Sequence, residues 1–259
     1  MIFKILGCGT STGVPLPGCT CKVCNSGKSK NYRSRTSAIF LSEEHGNILI
    51  DASTDLRHQA LLWNIKRVDA VLYTHSHADH ILGTDDLRSF NFVTKKSIPC
   101  YGSISTFKRL THFFDYIFMP DPNYKGGLLA QLTLNEIDEV TPFQVCGVEI
   151  KPFKLEHGTT SVTGYRIGDV AYATDCKVIP SASREVLKGV RYLVLDGLRH
   201  RPHFTHLTID EAATIASEIG AEKTYLTHMT HDVDYDELME FLPPHVEPAY
   251  DGLEIPISL

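Results

Sequence analysis

The densest group of metal-ligating side chains lies at residues 75–80, which read HSHADH. Three imidazoles and one carboxylate fall within six positions, directly after the β-branched run Val68–Tyr73, which predicts a buried strand. Imidazole and carboxylate ligands together suit zinc, manganese or iron. On an extended segment the first two imidazoles project to the same side and can share one cation, whereas the acid and the last imidazole can face a second. The pattern predicts a site for two metal ions.

Two cations need more ligands than this segment supplies, and the sequence offers them where other predicted strands end. His157, Asp175 and His228 each follow such a strand, and Asp51 follows an earlier one. Residues at the ends of strands commonly form the sites of layered α/β proteins. Each of these residues alone could equally cap a turn. As a set they complete two coordination spheres.

A second cluster of possible ligands is formed by Cys19, Cys21 and Cys24, in a C-x-C-x-x-C pattern. Three thiolates at this spacing can occupy three corners of a zinc tetrahedron. The fourth ligand must come from elsewhere, and His231, three residues after His228, is the best candidate. A closed Cys₃His site has no open position, which predicts a structural zinc rather than a catalytic one.

The number and distribution of the cysteines argue against a disulfide framework. The chain has seven cysteines, an odd number, and three of them are crowded into one loop, as expected for metal binding in a reducing compartment. The remaining four are scattered and are predicted to be small buried residues: Cys8, Cys100, Cys146 and Cys176.

Short apolar runs alternate with helical patterns along the chain, which favours two packed sheets with helices outside. The clearest helix spans residues 208–219, where Thr208 and Glu211 form a capping box and Gly220 ends the helix. Other helices are predicted over 54–65, 103–116 and 179–187. Strands are predicted over 2–6, 38–41, 47–51, 68–73, 148–155, 163–167, 170–174, 192–195 and 224–227.

Length, composition and charge exclude several classes of protein. The 259 residues, 42% hydrophobic and 22% charged, predict one globular domain over 1–259 with a zinc-binding loop at 19–24. A net charge of −6 disfavours a nucleic-acid polymer or an anionic membrane as partner. No run reaches the roughly 18–20 apolar residues that cross a bilayer. The apolar stretch before Cys8 is too short for a secretory signal, so a cytoplasmic location is expected.

The HSHADH motif, followed in order by His157, Asp175 and His228, resembles the metallo-β-lactamase superfamily over nearly the whole chain. The resemblance implies an α/β fold, a four-layer αββα sandwich of two mixed sheets packed face to face. It also implies that Asp175 bridges two metals and that Asp51 supports the ligands from behind, although Asp-x-Gly is replaced here by Asp-Ala-Ser. The implied ligands are His75, His77 and His157 for one metal, and Asp79, His80 and His228 for the other.

The additional set Cys19, Cys21, Cys24 and His231 resembles the PhnP-type phosphoribosyl 1,2-cyclic phosphate phosphodiesterases, which carry a structural zinc beside the dinuclear site. The activity this implies is hydrolysis of a small cyclic phosphodiester by a metal-activated hydroxide, with zinc or manganese in the catalytic pair. Asp79 is then expected to orient the nucleophilic water as well as ligate metal. By the same resemblance His206 is the general acid that protonates the leaving alkoxide.

Positive charge is densest at residues 199–203, where the guanidinium groups suit phosphate. We expect this segment to line a substrate pocket, although it could equally be a solvated loop. The residues concerned are Arg199, His200, Arg201 and His203.

The sequence leaves other hydrolases of the same fold open, namely an RNA 3′-processing nuclease or a thioester or lactone hydrolase. A nuclease would be expected to carry a basic RNA-gripping arm, and no long lysine-rich insertion is present. A thioesterase would need no acid for an alkoxide. The Pro- and Gly-rich excursion 119–129 could be a lid or the contact of a homodimer.

Overall fold

Two seven-stranded sheets packed face to face, with helices around them, form the computed structural model, which describes residues 1–259. The fold class predicted from the sequence is therefore confirmed. The first sheet contains β1 (Ile2–Gly7), β2 (Ser37–Leu41), β3 (Ile48–Ile50), β4 (Ala70–Leu72), β5 (Ile98–Gly102), β6 (Leu132–Glu136) and β14 (Glu254–Pro256). The second contains β7 (Phe143–Val145), β8 (Val148–His157), β9 (Thr160–Ile167), β10 (Val170–Ala173), β11 (Tyr192–Asp196), β12 (Lys223–Thr227) and β13 (Val246–Pro248).

Both sheets are half antiparallel and half parallel. In the first, with order β14-β1-β2-β3-β4-β5-β6, the strands from β14 to β3 are antiparallel and those from β3 to β6 are parallel. In the second, with order β13-β12-β11-β10-β9-β8-β7, the strands from β13 to β10 are parallel and the remainder are antiparallel. Parallel neighbours end at the same edge of a sheet, so each sheet presents several carboxyl ends together.

Strand β4 shows why the first sheet must be covered on both faces. Ala70 and Leu72 point into the core between the two sheets, whereas Val71 and Tyr73 point into a second core under the helices of the first sheet. Successive residues of a strand face opposite sides, so an uninterrupted apolar strand needs an apolar layer on each side. The β-branched run seen in the sequence is this doubly buried strand.

Eight α-helices flank the sheets, and none is long and apolar enough to cross a membrane. The helix predicted after residue 208 has the expected capping box. Thr208 Oγ1 accepts from the Glu211 N–H at 3.1 Å, and Glu211 Oε2 accepts from the Thr208 N–H at 2.8 Å. Gly220 ends it at φ 74°. The helices are α1 (Leu56–Leu62), α2 (Ala78–Ile81), α3 (Arg88–Thr94), α4 (Ile104–Phe113), α5 (Asp115–Phe118), α6 (Ser181–Leu187), α7 (Ile209–Ile219) and α8 (Tyr235–Phe241).

The prediction that all four scattered cysteines are buried is wrong for Cys146, which is exposed, whereas Cys8, Cys100 and Cys176 are buried as predicted. Cys146 and Gly147 form the two-residue turn between β7 and β8, with φ values of 53° and 78°. Both central residues of such a tight hairpin turn take positive φ, and the turn projects from the end of the sheet into solvent.

The 119–129 excursion lies between α5 and β6. It is followed by Leu132, which pairs with Ile98, the first residue of the parallel strand β5. The chain thus re-enters the sheet at the amino edge of its parallel strands, opposite the edge at which residues 75–80 follow β4. This position gives no support to a lid over those residues.

Candidate metal centre

The predicted ligands meet where the carboxyl edges of the two sheets adjoin. His75 and Asp51 follow the parallel strands β4 and β3, while His157 ends β8, and Asp175 and His228 follow the parallel strands β10 and β12. Two hydrogen bonds join the sheets beside this point. The Tyr165 hydroxyl donates to the Tyr73 carbonyl at 2.7 Å, and the Thr163 N–H donates to the Thr74 carbonyl at 2.9 Å.

The HSHADH segment is extended only at its start. Residues 78–81 form the one-turn helix α2, which carries Asp79 and His80. The segment that follows this helix lies directly against the loop after β3, because a Cβ atom at Gly83 would be 1.9 Å from the Ser53 carbonyl oxygen. Glycine is required for this close approach. The turn inferred from the sequence is therefore a helical turn packed on the Asp-Ala-Ser loop.

The first ligand group consists of His75, His77, His157 and Asp175, whose ligand atoms all lie within 4.8 Å of one another. His75 Nε2 is 2.9 Å from His77 Nδ1 and 3.7 Å from Asp175 Oδ2. His157 Nδ1 is 2.8 Å from the Thr205 carbonyl oxygen, and donation to it leaves the other ring nitrogen free to ligate.

The second ligand group consists of Asp79, His80 and His228, all buried and again within 4.8 Å. Asp79 Oδ2 is 3.4 Å from His80 Nε2 and 3.5 Å from His228 Nε2. Six of the seven predicted ligands thus fall into two groups, with three imidazoles in one and two imidazoles with a carboxylate in the other, and Asp175 is the seventh.

Asp175 lies between the two groups and presents one oxygen to each. Its Oδ2 faces His75, whereas its Oδ1 is 3.3 Å from His80 Nε2 and 3.4 Å from His228 Nε2. A carboxylate in this position can bridge two cations. The residue reaches it through a left-handed backbone, φ 53°, which is unusual for aspartate and is shared by Asp51 at 62° and His228 at 60°.

The donor set fits divalent metal ions. Ligands about 2.0–2.1 Å from a tetrahedral zinc lie about 3.4 Å apart, and the contacts of Asp79 and Asp175 with His80 and His228 fall at 3.3–3.5 Å. The buried His80 Nε2 has no hydrogen-bond partner despite this proximity. Buried polar atoms without partners are rare, and a cation between these atoms would satisfy them.

The local electrostatics also favour cations. Burial alone would raise the pKa of Asp175, but His228 and His80 hold it well below the ordinary value, so the carboxylate is charged. Burial lowers the pKa of His75 and keeps that imidazole neutral, as a metal ligand must be. Burial would also lower the pKa of His80, but three carboxylates, those of Asp175, Asp79 and Asp51, raise it. The negative potential of these carboxylates, which favours a proton on His80, also favours a metal ion beside it.

Asp51 contacts a candidate ligand rather than the ligand group itself, in the supporting role that the resemblance implied. Its Oδ2 is 2.7 Å from His80 Nδ1, and its Oδ1 accepts from the Thr74 N–H at 2.8 Å. The His80 contact fixes the ring so that Nε2 faces the ligand group. The replacement of the usual glycine by Ser53 does not displace the acid.

His206 lies at the centre with a partner that sequence reasoning missed. Its Nδ1 is 2.7 Å from Asp196 Oδ2, and its ring stacks on that of His228 at 4.7 Å between centroids. A ring nitrogen of His206 also lies within 4.8 Å of ligand atoms of Asp175 and His228. Asp196 ends β11, so the strand-end rule that selected Asp175 would have found it.

The basic segment 199–203 adjoins the centre, but most of its charged groups are already engaged. Arg199 donates to the carbonyls of Arg201 and Pro202 at 3.3 and 3.4 Å, and Arg201 pairs with Asp232. His200 packs on Phe241. Only His203 is brought to the centre, with its ring centroid 5.1 Å from that of His206.

The Cys₃His cluster is assembled as predicted from residues more than 200 positions apart in the chain. His231 Nδ1 is 3.3 Å from Cys19 Sγ and 3.4 Å from Cys21 Sγ. A hydrogen bond from the Cys24 N–H and, to a smaller extent, one with His231 lower the pKa of the Cys21 thiol to about 6. Burial raises the pKa of the Cys24 thiol to about 11. Four soft or imidazole donors within 4.8 Å fit zinc.

Comparison with known proteins agrees with this geometry. The family described as the β-lactamase superfamily domain matches residues 46–229. A solved structure of a diphosphatase from the PhnP family superposes with a TM-score of 0.92 and 39% identity, over 100% of this chain and 98% of that one. The human short-form tRNase Z has a TM-score of 0.72 at 18% identity, over 100% of both chains, and shows the fold alone.

Two curated relatives carry different names. An octanoyltransferase of Porphyromonas gingivalis is 40% identical over 252 residues, which are 96% of this chain and 50% of that protein. A ribonuclease Z of Staphylococcus saprophyticus is 30% identical over 192 residues, 69% of this chain and 53% of that protein. The chain thus spans about half the length of these relatives.

Proposed function

The chain belongs to the β-lactamase superfamily and is of its PhnP type, and on that premise we propose that it is a metal-dependent phosphodiesterase acting on a small cyclic phosphodiester. The observation that carries the proposal is the position of Asp175, with one carboxylate oxygen toward each of two ligand groups. Such an arrangement suits a pair of divalent ions, either zinc or manganese. The ligands would be His75, His77 and His157 for one ion, and Asp79, His80 and His228 for the other, with Asp175 shared.

Divalent ions held by these residues would lower the pKa of a water and neutralise charge on a phosphoryl oxygen. The chain's own side chains supply the rest of the chemistry. Asp79 is positioned to accept a hydrogen bond from the attacking water and so to orient it. As the bond from this water to phosphorus forms, the bond to the leaving alkoxide breaks.

His206 then protonates the leaving alkoxide oxygen. Asp196 accepts from His206 Nδ1, so the proton to be donated is the one on Nε2. Asp196 also accepts from the Cys176 N–H at 2.8 Å, a contact that keeps its carboxylate fixed. The imidazolium is therefore held in one orientation, and after the Nε2 proton has been transferred the neutral ring keeps its remaining proton on Nδ1, toward Asp196.

A small substrate is favoured over RNA. The relatives named ribonuclease Z and the neighbour named diphosphatase support chemistry at phosphorus. The net charge of −6, together with the engagement of Arg199 by carbonyls of its own loop and of Arg201 by Asp232, gives little surface that could hold a long polyanion.

The relative named octanoyltransferase supports a second candidate, hydrolysis of an acyl thioester. Only half of that protein matches this chain. A thiolate leaves without a proton, so this reaction would not require the Asp196–His206 pair. The buried pair therefore favours the phosphodiester.

The Cys₃His cluster is proposed to hold a structural zinc. It would connect the loop at 19–24 to the loop that carries both His228 and His231. Arg33, which follows the 19–24 loop in the chain, already binds the His228–His231 region, since its buried guanidinium donates to the Thr230 and Val233 carbonyls at 3.1 and 2.9 Å.

The proposal is tested with the full chain, stripped of metal and reloaded with defined zinc or manganese. The panel contains ribose cyclic phosphates, 2′,3′- and 3′,5′-cyclic nucleotides, linear diesters, an octanoyl thioester and a precursor tRNA. Hydrolysis of small cyclic diesters that is lost on metal removal supports the proposal. Turnover confined to the thioester or to the tRNA would contradict it.

A further inference from the structure

Phe204 is the most exposed large apolar side chain of the protein, with 97% of its surface accessible. No aromatic neighbour packs against its ring. Burial of the ring therefore contributes nothing to folding, and the phenyl group stands free in water.

The loop that carries Phe204 is nevertheless fixed. Its two ends are joined by the hydrogen bond from the Leu198 N–H to the Leu207 carbonyl at 3.0 Å, and the Leu207 N–H donates to the Cys176 carbonyl at 2.9 Å. Within the loop, Arg199 donates to the carbonyls of Arg201 and Pro202. A free aromatic ring on a braced loop is already ordered for contact with a ligand.

Both chain neighbours of Phe204 contact the metal centre. The His203 ring lies 5.1 Å from that of His206, and the Thr205 carbonyl is 2.8 Å from His157 Nδ1. Two residues of extended chain span at most about 7 Å, so the Phe204 Cα lies within that distance of the His206 Cα. The exposed Phe204 side chain is therefore carried by the stretch of backbone that borders the centre.

We propose that Phe204 is a specificity-determining residue that stacks on the base of a nucleoside-bearing phosphodiester while the phosphate occupies the metal centre. The inference rests on the proposed function. In a 2′,3′-cyclic nucleotide the base and the phosphate are carried by the same ribose, which matches the short separation of Phe204 from His206. Stacking on a base needs only one open ring face, as Phe204 offers.

An acyl chain is less well suited to this position. It would gain apolar burial only from a pocket that surrounds it, and the loop that carries Phe204 is rich in polar, basic and imidazole-bearing residues: Arg199, Arg201, His203 and Thr205. A planar base, in contrast, gains stacking from a single open ring face and needs no surrounding pocket.

The test compares two substrates that differ only in the base: adenosine 2′,3′-cyclic phosphate and methyl β-ribofuranoside 2,3-cyclic phosphate. Phe204→Ala is expected to lower kcat/KM for the first by about 5- to 100-fold, mainly through KM, and to leave the second within about twofold. Phe204→Trp is expected to restore activity on the nucleotide, whereas Phe204→Leu is not.

Binding supplies an independent readout. Calorimetric titration with adenosine 2′-phosphate should show the same weakening of Kd in Phe204→Ala, and titration with ribose phosphate should show none. Because the side chain is exposed, the variant should unfold at the same urea concentration as the wild type.

Equal effects of Phe204→Ala on both substrates, or no effect on either, would overturn the inference while the proposed function stands. If the metal-loaded wild type hydrolyses neither diester, the proposed function and the inference fail together. Preference for the octanoyl thioester that depends on Phe204 would assign the ring to an acyl chain and would also overturn the inference.

Discussion

His206 and Asp196 form a buried imidazole–carboxylate pair, with 2.7 Å between Nδ1 and Oδ2, beside the ligands of the second metal group. A ring nitrogen of His206 also lies within 4.8 Å of ligand atoms of Asp175 and His228. From that position His206 could either donate a proton or ligate a metal, and the two roles predict different consequences of its removal.

His206→Ala should slow hydrolysis of a diester with an alkyl leaving group by about 10²–10⁴-fold, because the alkoxide must be protonated. It should slow bis(p-nitrophenyl) phosphate far less, since p-nitrophenolate is a stable anion that leaves unaided. Steady-state kinetics on both substrates and the metal content of the variant check this. Equal losses on both substrates with loss of metal would make His206 a ligand instead.

Asp196→Asn should reproduce the leaving-group dependence of His206→Ala with a smaller loss, about 10- to 100-fold on the alkyl diester. The amide can still contact Nδ1 but no longer stabilises the imidazolium. Asp210→Asn provides a matched control, because Asp210 is an exposed acid on the nearby helix α7. No change in kcat is expected there, and a comparable loss would assign the Asp196 effect to general electrostatics.

Asp79→Ala should reduce kcat on bis(p-nitrophenyl) phosphate by at least about 10³-fold and leave the fold intact, because it removes a ligand and the group that orients the water. Circular dichroism and turnover measurements check this expectation. Asp121→Ala, in the exposed 119–129 excursion, is the control and should retain full activity. Survival of activity in Asp79→Ala would show that the catalytic role assigned to this carboxylate is wrong.

Cys21→Ser should lower zinc content by one equivalent and reduce stability without changing the catalytic pair, because its sulfur belongs to the Cys₃His cluster. Cys146→Ser is the matched control, since that thiol is exposed and lies in a hairpin turn. Elemental analysis measures the zinc content of the two variants, and urea unfolding measures their stability. Loss of all metals together would contradict the division into separate sites.

Asp251 predicts a pH dependence of stability that is independent of the metal centre. Burial raises its pKa to about 6, although hydrogen bonds from Ser34 and Cys8 oppose the rise. The folded state therefore holds the proton more tightly than the unfolded state. The contribution of Asp251 to stability is complete below about pH 4 and is lost as the pH rises through 6. The free energy of unfolding should fall by up to about 3 kcal/mol over this range, and by less if water screens the carboxyl group.

Urea unfolding of the wild type and of Asp251→Asn from pH 4 to pH 7 measures this effect. As the pH rises, the free energy of unfolding of the wild type should fall relative to that of the variant, since only the wild type has a carboxyl group at this position. The metal ligands are common to both proteins and cancel in the difference. A difference that stays constant with pH would disprove the role of Asp251.

The elements that could be predicted from the sequence carry strong local signals. The capping box at Thr208 and the apolar run before His75 specify a helix and a doubly buried strand without reference to the rest of the fold. The meeting of the candidate ligands could be predicted because strand ends are local features and because the fold brings carboxyl ends of parallel strands to one edge.

Other features depend on contacts distant in sequence. Strand β14 has three residues and exists because it pairs with β1 at the opposite end of the chain. The left-handed backbone at Asp51, Asp175 and His228 is disfavoured locally and is imposed by packing at the centre. Asp196 carried a usable signal, its position at the end of β11, whereas nothing in the sequence alone separated Phe204 from the surrounding loop.

The most direct test of the dinuclear centre is anomalous diffraction at the zinc edge from crystals grown with zinc. At this centre we predict two peaks on opposite sides of the Asp175 carboxylate, one against His75, His77 and His157 and the other against Asp79, His80 and His228, in addition to the peak expected at the Cys₃His cluster. A map without density at these positions, with His157 and Asp175 turned away from residues 75–80, would contradict the assignment.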